Sequence, residues 1–328
     1  MQPHVDFCVI GAGSAGFNAA QRARDLGKSV AIVEQEGELA GLCILRGCMP
    51  AKTVLRSAQI AGEIQDSETF GIETGPATVH PKAIVQRKRR VVREFAEDRV
   101  KAIEEFPLLR GTAAFISPTE LAVGHEHITA ERFLISTGSI IVTPAIAGLD
   151  DCGYLTSDDA LEMTELPKSL LVLGGGPVGC EFAQYFARLG VDVTLLQDGG
   201  ELLVNEDRDV GAAVREALEA DGVKIVLGVK FQGAASCNGG KQIAIEVDGQ
   251  PAAFEAQNVF VAMNRRPNIA SLHLDRAGVQ YDVRGIIVDE YLRTSNKAIF
   301  AAGDVLGRRM LVHLAEFGGR IAAQNAFS

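Results

Sequence analysis

The residues best suited to chemistry lie in one short segment, Gly41-Leu-Cys43-Ile-Leu-Arg-Gly-Cys48-Met-Pro50-Ala-Lys52. A thiolate is the form of cysteine that exchanges disulfides and gives electrons to an acceptor, and a helix N-terminus favours it. On an ideal helix, residues five apart have Cα atoms about 8.7 Å from each other, beyond the roughly 7 Å that a disulfide tolerates. Bridging Cys43 to Cys48 therefore calls for a distorted first turn. Gly47 permits that distortion, and Pro50 removes the N–H that would otherwise bond the carbonyl of Arg46. Two inert buried thiols are the plain alternative, and a metal site needs more ligands than this pair supplies. A redox-active pair is favoured over both. The other cysteines, at 8, 152, 180 and 237, are too scattered for a disulfide scaffold.

Two further segments could deliver electrons to such a pair, because both have the grammar of a nucleotide-binding turn. Val5 to Ile10 is a short apolar run that stops at Gly11-Ala-Gly13-Ser14-Ala-Gly16 and passes into a helical stretch to Leu26. Ser29 to Val33 is a second buried-strand run, ending on Glu34, 18 residues beyond Gly16. Glycines in that turn let the backbone approach a pyrophosphate at the helix N-terminus, and a carboxylate at the end of the second strand accepts from ribose hydroxyls. The unit returns at Ser169 to Leu173, Gly174-Gly-Gly176-Pro177-Val178-Gly179, a helix through Leu189 and a strand from Val191. Here Gln197 stands at the offset of Glu34, with Asp198 and Glu201 beside it and no basic residue before Arg208. That surround repels a 2′-phosphate and favours NADH over NADPH. The bland reading of either turn is a structural strand-to-helix corner.

The two turns begin 163 residues apart, a domain-scale separation and not a repeat period. With 328 residues, the chain reads as two doubly wound α/β domains. Between the turns, Pro81 to Glu105 predicts a long helix. Its basic run Arg87-Lys-Arg-Arg90 is followed by Glu94, Glu97, Asp98, Glu104 and Glu105, so it reads as a solvated face. Gly111 to Leu134 predicts a small β-meander set on the first domain, in which His125 and His127 lack a third metal ligand. The balance of 32 basic against 42 acidic residues, net −10, makes nucleic acid and anionic lipid poor partners. No run of 18 apolar residues and no signal-peptide pattern is present in this sequence, which sets the expectation of a cytoplasmic protein without a membrane partner.

Taken together, the cysteine segment, Gly11 to Gly16, Ser136-Thr137-Gly138-Ser139, Gly174 to Glu181 and Ala302-Gly303-Asp304 resemble the flavin-dependent pyridine nucleotide-disulfide oxidoreductases. That family includes dihydrolipoamide dehydrogenase, glutathione reductase and mercuric reductase. The resemblance covers the whole chain, in family order. It implies an FAD domain, 1–152 with 276–328, and an inserted NAD(P) domain, 153–275. It implies that Gly11, Gly13, Ser14, Gly16, Glu34, Gly41, Ala114, Thr137, Gly138, Gly303 and Asp304 hold FAD. Gly174, Gly176, Pro177, Val178, Gly179, Gln197 and Asn264 would hold the nicotinamide cofactor. Cys48 is then the thiol beside the flavin, Cys43 the thiol that meets substrate, and Lys52 a cation near the flavin paired with Glu181. Without the resemblance, Lys52 and Glu181 read as a surface lysine and an ordinary helical acid.

The chain departs from the family pattern in three places. Asn264 stands where glycine is usual, and asparagine tolerates left-handed backbone better than most residues. Ile141 and Ala147 replace two prolines. The family's C-terminal dimerisation domain, with its His-Glu pair, does not appear before Ser328, and neither His80 nor His313 replaces it; this makes a truncated or naturally short form the expectation, with weakened turnover. The activity implied is transfer of electrons from NAD(P)H through FAD to the cysteine disulfide and on to a small disulfide or dithiol such as lipoamide, in a homodimer for the full-length family. Metal-ion reduction of the mercuric type is an alternative, disfavoured because no cysteines stand near the C-terminus. A non-catalytic flavoprotein acting as a redox sensor or assembly component is the third reading.

Overall fold

A computed structural model describes residues 4–35 and 37–328. In chain order the elements are β1 His4–Ile10, α1 Ser14–Asp25, β2 Val30–Glu34, α2 Leu42–Leu45, α3 Cys48–Gln65, α4 Pro81–Glu104, β3 Leu108–Arg110, β4 Ala113–Ser117, β5 Glu120–Val123, β6 Glu126–Ile135 and β7 Ser139–Ile141. They continue with α5 Leu149–Cys152, α6 Ser157–Leu161, β8 Ser169–Leu173, α7 Pro177–Arg188, β9 Asp192–Gln197, α8 Arg208–Ala220, β10 Lys224–Leu227, β11 Lys230–Cys237 and β12 Gly240–Val247. The last are β13 Gln250–Ala256, β14 Asn258–Val261, β15 Arg265–Pro267, β16 Ile299–Ala301 and α9 Val312–Ala326.

The chain forms two compact units, one comprising residues up to Met49, Val92–Ile140 and Arg265–Ser328, the other Pro50–Val91 and Ile141–Asn264. Compactness thus divides the chain differently from the cofactor motifs, because 50–91 joins the unit that holds the second glycine turn.

In the first unit the sheet order is β3-β2-β1-β6-β5-β4, with β16 also pairing β6. The β1, β2, β3, β6 and β16 pairings are parallel, while β4 to β6 are antiparallel. The meander is therefore not a separate layer. The ten-residue β6 meets β5 through its first residues and β1 through its remainder, so one strand carries both patterns. Phe7, Val9 and Ile32 face one side of the sheet, where α1 and α9 cover them; Cys8, Ile10 and Val33 face the other, the alternation expected of pleated strands. Helices α1 and α9 touch backbone to backbone: a Cβ on Gly319 would lie 2.1 Å from the carbonyl oxygen of Ala15.

In the second unit a parallel sheet of order β10-β9-β8-β14 is accompanied by the antiparallel sheet β11-β12-β13. Helix α3 presents Ala51, Val54, Ala58 and Ala61 to a core that includes Phe182, Tyr185 and Phe186 of α7. Gly62 brings the two helices close, since a Cβ there would meet the Arg188 side chain at 2.9 Å. Arg87, Arg89 and Arg90 of the basic run on α4 are exposed, as a solvated face requires, and Lys88 alone departs from it. Lys88 is buried and ion-paired with Glu162, Arg89 bonds the same carboxylate at 2.8 Å, and Arg87 donates to the carbonyl of Thr53. An ammonium taken out of water needs such a partner, and Glu162 is held below the usual carboxylate range by hydrogen bonds and charge from Lys88 and Arg89, against its own burial.

Candidate active site

The first glycine turn is built by backbone contact. A Cβ on Gly16 would sit 1.8 Å from the carbonyl oxygen of Gly11, so only glycine allows α1 to start here. Gly11 is left-handed at φ 100° and packs on the carbonyl of Ser136, whose buried hydroxyl donates to the carbonyls of Ile10 and Gly11. The N-cap Gly13 has no side-chain cap, and nothing lies within 4 Å of where its Cβ would be. Ser14 opens the helix. Glu34 ends β2 with its Oε2 accepting the Ala12 N–H at 2.7 Å and its Oε1 accepting the Gln35 N–H at 2.9 Å. A carboxylate has about four acceptor positions, so it retains capacity for hydroxyl donors. An uncapped helix N-terminus, a bare glycine and a half-exposed acid make a cradle that fits a dinucleotide diphosphate and its ribose.

Other residues expected around FAD surround the same turn. Gly41 approaches Gly13 so closely that a Cβ would lie 2.7 Å from its Cα. Thr137 donates to the carbonyl of Asn268, and Gly138 is left-handed. Asp304 accepts from the Ser139 hydroxyl at 2.7 Å across 165 positions of sequence, just after Gly303 at φ 84°. Ala114 is a half-buried residue of β4, the edge strand of the same sheet.

The cysteine segment differs in one respect from the single distorted helix expected of it. Cys43 lies in α2, the chain leaves helix at Arg46 (φ −141°), and Cys48 begins α3. The two cysteines thus meet across a break between helices. Gly47 makes the approach possible, because a Cβ there would lie 3.0 Å from the Leu42 carbonyl oxygen and 3.1 Å from the Cys43 Cα. The two are not joined in a disulfide, Cys43 being half-buried and Cys48 exposed. The hydrogen bond to Cys48 pushes the Cys43 thiol far above the usual range, with burial and the Cys48 charge adding to it.

In the second unit the glycine turn is repeated in detail. A Cβ on Gly179 would lie 1.8 Å from the Gly174 carbonyl oxygen, and Gly176 caps α7 with open space before it. Pro177 occupies the first turn, where its missing N–H costs nothing, and Val178 is exposed. Gln197 is buried and its Oε1 accepts the Gly175 N–H at 2.7 Å, the bond that Glu34 makes in the first unit. Glu201 pairs with Arg208 at 3.5 Å. Asn264 is left-handed at φ 50°, the conformation glycine would otherwise supply. Lys52 and Glu181 form an ion pair between α3 and α7, both within this unit.

Sequence reasoning passed over Arg99 and Glu316, which lie in the electrostatic neighbourhood of Cys43. Arg99 stacks over Phe17, its Cζ 4.3 Å from the ring centroid. No local spacing signals this, because α1, α4 and α9 converge only in the fold.

Two dinucleotide-type glycine turns, each following a parallel strand of its own sheet, and a hydrogen-bonded dithiol define a class of pyridine nucleotide-linked thiol redox protein. The chain belongs to the pyridine nucleotide-disulphide oxidoreductase family, whose profile matches residues 5–319. It is 38% identical over 325 residues to a mercuric reductase of Staphylococcus aureus, covering 98% of this chain and 59% of the relative. To a dihydrolipoyl dehydrogenase of Bacillus subtilis (strain 168) it is 34% identical over 327 residues, covering 97% and 70%. The HOCl-induced flavoprotein disulfide reductase RclA from Escherichia coli, solved as a Cu(II) complex, superposes with a TM-score of 0.87 at 29% identity, covering 100% of this chain and 72% of that one. The chain thus spans less than two thirds of the length of the S. aureus mercuric reductase. Among the described residues no helix is long and apolar enough to cross a membrane.

Proposed function

We propose that this chain carries the cofactor-binding and dithiol portion of an NADH:disulfide oxidoreductase, most like dihydrolipoamide dehydrogenase in acceptor. FAD would be held by 1–152 with 276–328, and the nicotinamide cofactor by 153–275. Gly11, Gly13, Ser14 and Gly16 would receive the FAD diphosphate, Glu34 the adenosine ribose and Asp304 the ribityl chain. When bound, the flavin supplies a two-electron relay between nicotinamide and the Cys43–Cys48 disulfide. Lys52, oriented by Glu181, is the cation assigned to the flavin side. Gln197 lacks the charge of Glu34, Asp198 and Glu201 follow it, and the nearest basic residue in sequence, Arg208, faces Glu201 at 3.5 Å; this acidic surround supports NADH.

The observation that carries the reading is the hydrogen-bonded dithiol across the α2–α3 break. Cys43 passes its proton to Cys48 as its sulfur attacks one sulfur of the acceptor disulfide; that S–S bond breaks and one thiolate leaves, taking a proton from solvent. Cys48, releasing the proton to solvent, then attacks the Cys43 sulfur of the mixed disulfide. The second substrate thiolate departs, and a Cys43–Cys48 disulfide remains, two electrons having gone to the acceptor.

A soft metal ion is the second acceptor reading, supported by the 38% identity to a mercuric reductase. The expectation against it rested on the last residues of this chain, and with 59% of that relative spanned they carry no weight. The reading as a whole is tested on purified protein equilibrated with FAD: about one FAD per chain should be retained, and anaerobic NADH should bleach it faster than NADPH. Protein that holds no FAD refutes it. Lipoamide and mercuric ion, offered separately to the reduced protein, decide between the acceptors by which one reoxidises the thiols.

A further inference from the structure

Among the described residues one buried side-chain polar atom has no hydrogen-bond partner, Nη1 of Arg99 on α4. A shielded cationic donor without an acceptor is costly, and native proteins seldom keep one that has no use. The guanidinium plane is fixed from one side by the Phe17 ring, 4.3 Å from Cζ, and Phe17 is itself 6% exposed at the start of α1. Arg99 therefore cannot simply swing into solvent without losing that stacking. Burial lowers the proton affinity of Arg99, whereas Glu316 and Cys43 raise it, so the charge is felt at the thiol. Glu316, on α9, is the carboxylate in this neighbourhood, yet Nη1 remains unpaired.

We propose that Arg99 is a specificity-determining residue that receives a carboxylate of the electron acceptor beside Cys43, so that among small disulfides one that carries a carboxylate is reduced in preference to its neutral amide. The inference rests on the proposed role of Cys43 as the thiol that meets substrate. Phe17 holds the guanidinium flat, the free N–H supplies a charge-assisted hydrogen bond, and Glu316 limits how tightly the anion is held.

Two alkylating agents of similar size separate this role from others. Iodoacetate is anionic and iodoacetamide neutral; each forms a C–S bond with the thiolate and expels iodide, the thiol proton going to solvent. With dithiothreitol-reduced protein in a Cys48→Ser background, rates at Cys43 are read by peptide mass spectrometry, and their ratio cancels any change in the thiolate fraction. Arg99→Gln should lower the iodoacetate-to-iodoacetamide ratio by about five-fold, the size expected for a partly screened charge. Arg99→Lys should restore much of it, and Glu316→Gln should raise it. Equal losses with both reagents would mean that Arg99 acts on thiol ionisation, and an unchanged ratio that it is only structural; either overturns the proposal. Failure of either reagent to reach Cys43 in Cys48→Ser, where no second thiol competes, would instead overturn the underlying assignment of Cys43, a result distinguishable from both.

Discussion

Replacing Gly47 by alanine tests whether the α2–α3 break sets the redox poise of the dithiol. The added Cβ would lie 3.0 Å from the Leu42 carbonyl oxygen and 3.1 Å from the Cys43 Cα. Carbon contacts are comfortable near 3.5 Å, so α2 must retreat by roughly 0.4 Å. A disulfide needs its Cβ atoms within about 3.5–4.5 Å, and closing it pulls α2 back toward the new methyl. The resulting overpacking costs about 1 kcal/mol, which for a two-electron couple is about 20 mV. The disulfide form should be disfavoured, raising the reduction potential by that amount. Equilibration in dithiothreitol buffers followed by thiol alkylation and gel shift measures it. Gly200→Ala is the control, since nothing lies within 4 Å of its Cβ position. A Gly47→Ala potential within about 5 mV of wild type, or more negative, refutes the argument.

Other consequences follow from the same contacts. Gly319→Ala puts a methyl 2.1 Å from the Ala15 carbonyl oxygen and should cost about 2–3 kcal/mol, read as a lower urea midpoint; an unchanged midpoint contradicts the α1–α9 packing. Glu34→Ala removes the acceptor of the Ala12 N–H and should weaken FAD binding about ten-fold or more by fluorescence titration, with equal affinity counting against the proposed ribose role. Burial, then the charge of Glu181, pushes the Cys180 thiol from 9.0 up to about 11. The sign is that of an acid more easily ionised when unfolded. Its contribution of ~3 kcal/mol is complete below pH 9 and is lost as pH rises through 11, so denaturant midpoints should fall over that window and fall less in Cys180→Ala.

The glycine turns were legible because backbone sterics leave no choice at Gly16 and Gly179: a Cβ at either would sit 1.8 Å from a carbonyl oxygen. The sheets were legible for a related reason, as short apolar runs flanked by such turns have few places to go. The resemblance, and no local rule, brought Asp304 to the first unit, since its bond to Ser139 spans 165 positions. What stayed hidden depends on tertiary partners. Lys88 looks like any member of a basic run until Glu162 reaches it, and the break before Cys48 is invisible to an ideal-helix calculation. Nothing local marks the point at which β6 changes partners from β5 to β1. Arg99 gave no signal because the ring that fixes it lies on another helix.

The most direct test of electron delivery to the cysteines is an anaerobic NADH titration of the FAD-loaded protein, followed by absorbance. Reduction of the dithiol should bring up a long-wavelength thiolate-to-flavin band in wild type that is absent from Cys48→Ser. Identical spectra from the two proteins would mean that Cys48 does not address the flavin, and the account of the site would be wrong.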